Sequence, residues 1–223
     1  TKIKLNLPAI ALLISGGHTE LVLIKNWLNY KILGHTRDDA VGEAFDKVAR
    51  MLDLPYPGGP EISKLAQKFS GKKSLRLPRP MINSGNLDFS FSGLKTAVLY
   101  TIKRNDKLSD EIKAELAHEF EEAVVEVLIS KTKEALEQCS AKSVVKTLII
   151  GGGVIANKKI RESFKRLISE NFKKIKLLIP HHTLATDNAT MIGIAGYFRW
   201  LYHKIKKTRP QINIKANGNL VLG

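Results

Sequence analysis

The chain has 223 residues, 43% apolar and 26% charged, and its 36 Lys and Arg outnumber 21 Asp and Glu for a net charge of +15. That balance is ordinary for a folded protein and excludes a disordered one, and the excess positive charge asks for an anionic partner, with nucleic acid the first candidate. A single cysteine, Cys139, excludes an internal disulfide and fits a reducing compartment.

Residues 5–14 form the longest apolar stretch, broken by Asn6 and Pro8 and far short of the ~20 apolar residues that span a bilayer. No export signal is legible, so the chain reads as soluble and cytoplasmic, with no membrane partner. Residues 10–14 and 20–24 flank Ser15-Gly16-Gly17-His18-Thr19 as a β-hairpin, and residues 30–33 make a third strand. From residue 39 to 52 the period changes. Val41, Ala44, Phe45, Val48 and Leu52 recur at helical spacing, with Asp38 or Asp39 as the expected cap and Asp39, Glu43 and Asp46 on the opposite face.

Residues 54–107 hold five of the eight prolines and read as an inserted segment between two parts of one lobe, residues 1–53 and 108–223. Within it, Phe89 and Phe91 alternate with Ser90 and Ser92 as a short strand, followed by a helix over 94–103. A long helix over 109–138 buries Leu116, Phe120, Val124, Val127, Leu128, Ala135 and Leu136. Cys139, near its end, has no triad partner beside it and reads as structural. Two strand-loop-helix units follow. Residues 144–150 lead into Gly151-Gly152-Gly153 and a helix with Ile160, Phe164, Leu167 and Ile168 inward; residues 176–179 lead into Thr186-Asp187-Asn188 and a helix reaching about residue 203. The fold class is therefore α/β: a mixed five-stranded sheet flanked by helices, with a helical insertion, as in each half of the actin, Hsp70 and sugar-kinase superfamily with its ribonuclease H-like unit. Such folds are built of two halves, and their nucleotide lies in the cleft between them.

Three glycine-rich turns, at 15–19, 57–60 and 151–157, end apolar runs, and a backbone free of Cβ atoms can approach a phosphate closely. Each candidate residue also has a plainer reading. Asp46 can pair with Arg50 at i+4. His18 can serve the turn alone, Asn157 and Asp187 can cap the helices that follow them, and the triple glycine can serve close packing. Lys95 is either a phosphate partner or a solvent-facing lysine. The basic clusters at 72–76, 158–166, 173–174 and 204–209 suit RNA or a merely solvated surface, and no DNA-reading motif accompanies them.

Six segments together carry a resemblance: Ala11-Leu12-Leu13-Ile14-Ser15-Gly16-Gly17-His18-Thr19, the run from Asp38 to Lys47, Tyr56-Pro57-Gly58-Gly59-Pro60, the run from Leu87 to Thr96, Gly152-Gly153-Val154-Ile155-Ala156-Asn157 and Thr186-Asp187-Asn188. From about residue 9 to 200 the chain resembles the universal tRNA threonylcarbamoyladenosine transferases. The resemblance implies transfer of a threonylcarbamoyl group from threonylcarbamoyl-AMP to N6 of adenosine 37 in tRNAs that read A-starting codons. It implies that Leu13, Ile14, Ser15, Gly16 and Gly17 hold the adenylate, with Asp46, Gly59 and Asn157 completing its site. It implies Asp187 as ligand of one divalent metal ion, iron first, with zinc or magnesium as alternatives. Implied partners are tRNA, a TsaB-like paralogue and a TsaE-like ATPase, since the segment around Leu77-Pro78-Arg79-Pro80 is of the bacterial and organellar kind.

One departure stands beside the match. The family's His-x-x-x-His metal motif has no counterpart here, and His181 and His182 are adjacent. The chain opens at Thr1 where the family would enter its second half, so a C-terminal piece or truncated product is expected. The rival readings are an inactive remnant or partner-binding fragment, another actin-like ATP-binding enzyme, and a metalloprotease, the last without any His-Glu-x-x-His run.

Overall fold

The computed structural model describes residues 5–105, 108–141, 144–181, 184–185 and 188–208. Strand β1 (Ala9–Ile14) pairs antiparallel with β2 (Thr19–Asn26), which pairs antiparallel with β3 (Asn29–His35). On its other side β1 runs parallel to β4 (Thr147–Gly151), and β4 runs parallel to β5 (Lys176–Leu178), giving the order β3-β2-β1-β4-β5. This is the mixed five-stranded sheet expected from the order of elements. Strand β1 is central and buried at every position except Leu13, so it reads as a continuous apolar run, whereas the edge strand β3 is largely exposed. Strand β4 begins at Thr147, later than the apolar run suggests; Val144 is turned out to solvent, and Val145 is buried ahead of the strand.

Among the described residues the sheet is accompanied by helices α1 (Val41–Met51), α2 (Gly58–Ala66), α3 (Ser92–Lys103), α4 (Asp110–Ser140), α5 (Lys158–Asn171) and α6 (Ala189–Lys206). In α5 the buried residues are Ile160, Phe164, Leu167 and Ile168, as the spacing requires. The expected cap of α1 is different. Neither Asp38 nor Asp39 caps it; the hydroxyl of buried Thr19 accepts from Val41 N at 2.8 Å. Asp38 is drawn to the start of α3, accepting from Phe91 N, Ser92 N and the hydroxyls of Ser90 and Ser92. Burial raises the Asp38 carboxyl, but these four donors outweigh it and hold it below the usual range. Asp39 pairs with Lys47 and with Lys95, so Lys95 is a structural cation on the flank of α1 and not a solvent-facing one.

Helix α4, 31 residues and ~46 Å long, is buried on most of its circumference and organises the body. Phe45 of α1 meets Phe120 edge-to-face at 5.1 Å. Residues between α1 and α4 join the same apolar cluster, including Ile62, Leu77, Phe89, Phe91 and Val98. Where this segment lacks a strand partner, acids of α4 supply acceptors: Glu115 takes Ser74 N and Leu75 N, and Glu119 takes Leu77 N and the Arg79 guanidinium. Fully buried Lys131 donates to Ser84 Oγ and Asn86 O, and burial lowers its pKa. Among the described residues no helix is long and apolar enough to cross a membrane.

Candidate functional site

The C-terminal ends of the parallel strands β1 and β4 lie side by side, Leu13 opposite Gly151. Loops at such ends are where open α/β sheets place ligands. Here a ring of close contacts joins the three glycine turns. Ser15 Oγ accepts from Gly17 N and His18 N while Ser15 N donates to His18 O, which folds the β1–β2 turn tightly. Both lone pairs of that hydroxyl are engaged, leaving its proton to donate outward. Ser15 O accepts from Gly42 N at 3.1 Å, and a Cβ on Gly42 would stand 2.7 Å from it. One turn further along α1, ~5.4 Å away, Asp46 Oδ1 accepts from Gly58 N at 2.8 Å. Asp46 is therefore tied to the start of α2 rather than spent on Arg50, and its carboxylate satisfies an orphan N–H there.

From α2 the ring continues through Ser63, one turn beyond Gly59. Asn157 Nδ2 donates to Ser63 Oγ at 2.9 Å and to Glu121 Oε1 of α4 at 2.7 Å, while Asn157 Oδ1 caps α5 by accepting from Ile160 N. A 3-10 turn, Gly153–Ala156, leads back to Gly152, whose φ of 98° and approach to Ile14 O admit only glycine: a Cβ would sit 2.2 Å from that oxygen. Of the triple glycine, this position serves close packing. The ring thus closes on Ile14 and Ser15.

Within this ring the expected residues divide by what they expose. Ile14 is fully buried and offers only main chain; Leu13 is partly exposed. Gly16, Gly17 and Gly59 face open space: apart from the adjoining chain, nothing lies within 4 Å of where a Cβ would stand. Gly59 also lies in the first turn of α2, whose N–H groups and dipole favour an anion. Six residues expected at the adenylate (Ser15, Gly16, Gly17, Asp46, Gly59 and Asn157) lie in the turns and helix starts that this ring joins, while Ile14 belongs to its buried floor and Leu13 precedes it on β1. Asp187 and Thr186 lie outside the described residues.

Two residues of the ring escaped the reading of motifs. Ser63 and Glu121 bond each other at 2.6 Å, and the Glu121 carboxylate is nearly inaccessible. The signal for Glu121 was an acid inside the apolar stripe Ala117, Val124, Leu128 of α4, which demands donors from another element. Beside it opens a hollow of 410 Å3 lined by Ser63, Phe69, His118, Glu121, Asn157 and Lys159. Lys159 pairs with Glu122 there. Burial, then the Lys159 and Lys73 charges, holds His118 below its ordinary pKa.

The family model for TsaD, tRNA N6-adenosine threonylcarbamoyltransferase, matches residues 1–194. Relatives of that name include one from Francisella philomiragia, 44% identical over 213 residues, which are 96% of this chain and 61% of that protein. Another, from Thermosipho africanus, is 49% identical over 191 residues, 85% of this chain and 55% of that protein. A third, from Clostridium botulinum, is 43% identical over 217 residues, 97% of this chain and 61% of that protein. The crystal structure of T. kodakarensis HypF superposes with a TM-score of 0.54 over 81% of this chain and 22% of that one at 15% identity, a likeness of fold alone. The chain spans 55–61% of the length of these three relatives. With the sheet order, the glycine ring and a family match from residue 1 to 194 in agreement, the chain belongs to the tRNA N6-adenosine threonylcarbamoyltransferase family.

Proposed function

We propose that this chain supplies the adenylate-holding half of an enzyme that transfers the threonylcarbamoyl group of threonylcarbamoyl-AMP to N6 of adenosine 37 in tRNAs reading A-starting codons. The observation that carries it is the open lip of the ring: Gly16, Gly17 and Gly59 leave room above a closely packed floor, beside a helix N-terminus. On this reading the lip admits the phosphate of the adenylate, the outward proton of Ser15 donates to it, and Asn157 and Asp46 fix the wall. In the transfer the N6 nitrogen bonds to the carbamoyl carbon, the bond from that carbon to the phosphate oxygen breaks, AMP leaves with the electron pair, and the amine loses one proton to solvent. The chain contributes placement and electrostatics, and the adenylate contributes the leaving group.

A divalent ion, iron, zinc or magnesium, belongs to the proposal with Asp187 as this chain's ligand. Among the described residues no three His, Cys, Asp or Glu side chains gather so as to hold a metal. They do not by themselves make a metal centre, and no step is routed through one. The proposed partners are tRNA, a TsaB-like paralogue and a TsaE-like ATPase, in the cytoplasm.

The test is incubation of the chain with threonylcarbamoyl-AMP and tRNA bearing A37, with and without the remaining segment of the family supplied in trans. Modification of A37 when that segment is added supports the reading. ATP turnover without tRNA would instead support an actin-like ATP-binding enzyme, and absence of adenylate binding in every combination would leave a partner-binding remnant.

A further inference from the structure

Hydrogen bonds fix the Asn157 amide one way round. Its Nδ2 donates to Glu121 Oε1 at 2.7 Å and to Ser63 Oγ at 2.9 Å, which spends both amide protons, while its Oδ1 accepts from Ile160 N. Turning the amide over would set its oxygen against the Glu121 carboxylate and its NH2 against the Ile160 N–H, so two contacts hold the orientation at once. Ser63 is fixed in the same way. Its only proton goes to Glu121 Oε1 at 2.6 Å, and one lone pair takes the Asn157 amide. One lone pair on Asn157 Oδ1 and one on Ser63 Oγ remain unspent, and both residues line the 410 Å3 hollow.

One side chain imposes this pattern. The Glu121 carboxylate is 5% exposed and can only accept, so a hydroxyl or amide that bonds it must turn its protons toward it. Lip and wall then have opposite polarity. The lip offers protons, those of the Ser15 hydroxyl and of the first-turn N–H groups of α2 at Gly59. Ser63 stands on the same face of α2 about 6 Å further along, and there it and Asn157 offer lone pairs only.

We propose that Glu121 is a positioning residue that makes this wall a reader of hydrogen-bond donors: the site takes a nucleoside monophosphate by its phosphate acceptors at the lip and by an N–H or O–H donor at Asn157 and Ser63. The inference rests on the adenylate reading and adds to it the rule by which the site tells its ligand from a near copy. A ligand of the same shape without that donor displaces water from two acceptors and leaves them unpaired, a mismatch that discriminates strongly. In AMP two groups carry such donors, the ribose hydroxyls and the 6-amino group of the base. A network that only tied α2, α4 and α5 together would be indifferent to both.

The experiment titrates the 223-residue chain, by calorimetry, with AMP, with 2′,3′-dideoxy-AMP and with purine riboside 5′-monophosphate, which lacks the amino group. AMP is expected to bind, and at least one analogue to bind about tenfold or more weakly than AMP. A loss with the dideoxy nucleotide assigns the donor to the ribose, and a loss with the purine nucleotide assigns it to the base. Glu121→Gln gives the position protons of its own, so the amide is no longer dictated, and it is expected to bring AMP and the weaker analogue within about threefold of each other. Ser63→Ala, which removes one acceptor, is expected to narrow the same ratio. Because the ratio compares two ligands on one protein, a fraction of unfolded variant does not change it. The inference is overturned if wild type binds all three nucleotides alike, or if Glu121→Gln keeps the wild-type ratio. Binding of none of the three overturns the adenylate reading, and this inference with it, whereas equal binding of all three overturns the inference alone.

Discussion

The floor and the lip of the glycine ring use the same residue for opposite reasons. On the floor, Gly42 and Gly152 are filled against by backbone: an added Cβ would meet Ser15 O at 2.7 Å or Ile14 O at 2.2 Å. On the lip, Gly16, Gly17 and Gly59 have nothing near them. The floor glycines let three turns converge, and the lip glycines keep the converged place open. A glycine-rich motif therefore mixes packing and binding, and only the surroundings separate the two.

That contrast breaks most visibly at Gly152. Gly152→Ala is expected to lose about 4 kcal/mol or more, because a left-handed φ and a backbone clash coincide; urea unfolding would read it. Gly42→Ala, with a clash but no strained φ, is expected to lose about 1–3 kcal/mol in the same measurement. Next comes the wall. Glu121→Ala strands the Asn157 amide and the Ser63 hydroxyl and is expected to cost about 1–3 kcal/mol, and a double-mutant cycle with Asn157→Ala should show coupling of at least about 0.5 kcal/mol.

Acid acts away from the floor, on the carboxylates that tie the segments around it: Asp38 at the start of α3, Asp88 on His35 N and Arg37, and Glu115 on Ser74 and Leu75. Asp38, Asp88 and Glu115 are each raised by burial but held below their ordinary pKa by their hydrogen-bond donors, with the Arg37 charge adding to Asp88 and the His118 charge to Glu115. His118 is held below its own by burial and by Lys159 and Lys73. All four bind protons more readily unfolded, so their contribution is full above the unfolded values and fades as pH falls through the folded ones. The denaturation midpoint is expected to hold from pH 8 to about 6.5, to decline slightly as His118 charges, and to drop steeply below about pH 4. The smallest expected effect belongs to the lip: Gly17→Ala and Gly59→Ala should change stability by less than about 0.5 kcal/mol.

Much of this architecture was legible in periodicity. The stripe of α5 and the apolar face of α4 follow from spacing alone, and the sheet order follows from a hairpin succeeded by strand-loop-helix units. What spacing could not show was which side chain serves a distant element. Asp38 sits beside α1 in sequence yet caps α3 fifty residues on, and Thr19 caps α1 across 22 residues. Asp46 faces away from the apolar stripe as expected, but its partner, Gly58 N, belongs to the next helix. Glu121 and Ser63 were hidden because their meaning arises only when α2, α4 and α5 meet. The stacking of Trp27 on Phe198 is likewise invisible in one dimension, the two lying 171 residues apart.

Whether the open lip receives an adenylate is decided by calorimetric titration of AMP into the wild-type chain, Gly16→Leu and Gly59→Leu. Wild type is expected to bind, both variants to bind at least about tenfold more weakly because a side chain fills the lip, and all three to unfold at the same temperature. Equal AMP binding in all three, or none in the wild type, would contradict the adenylate reading.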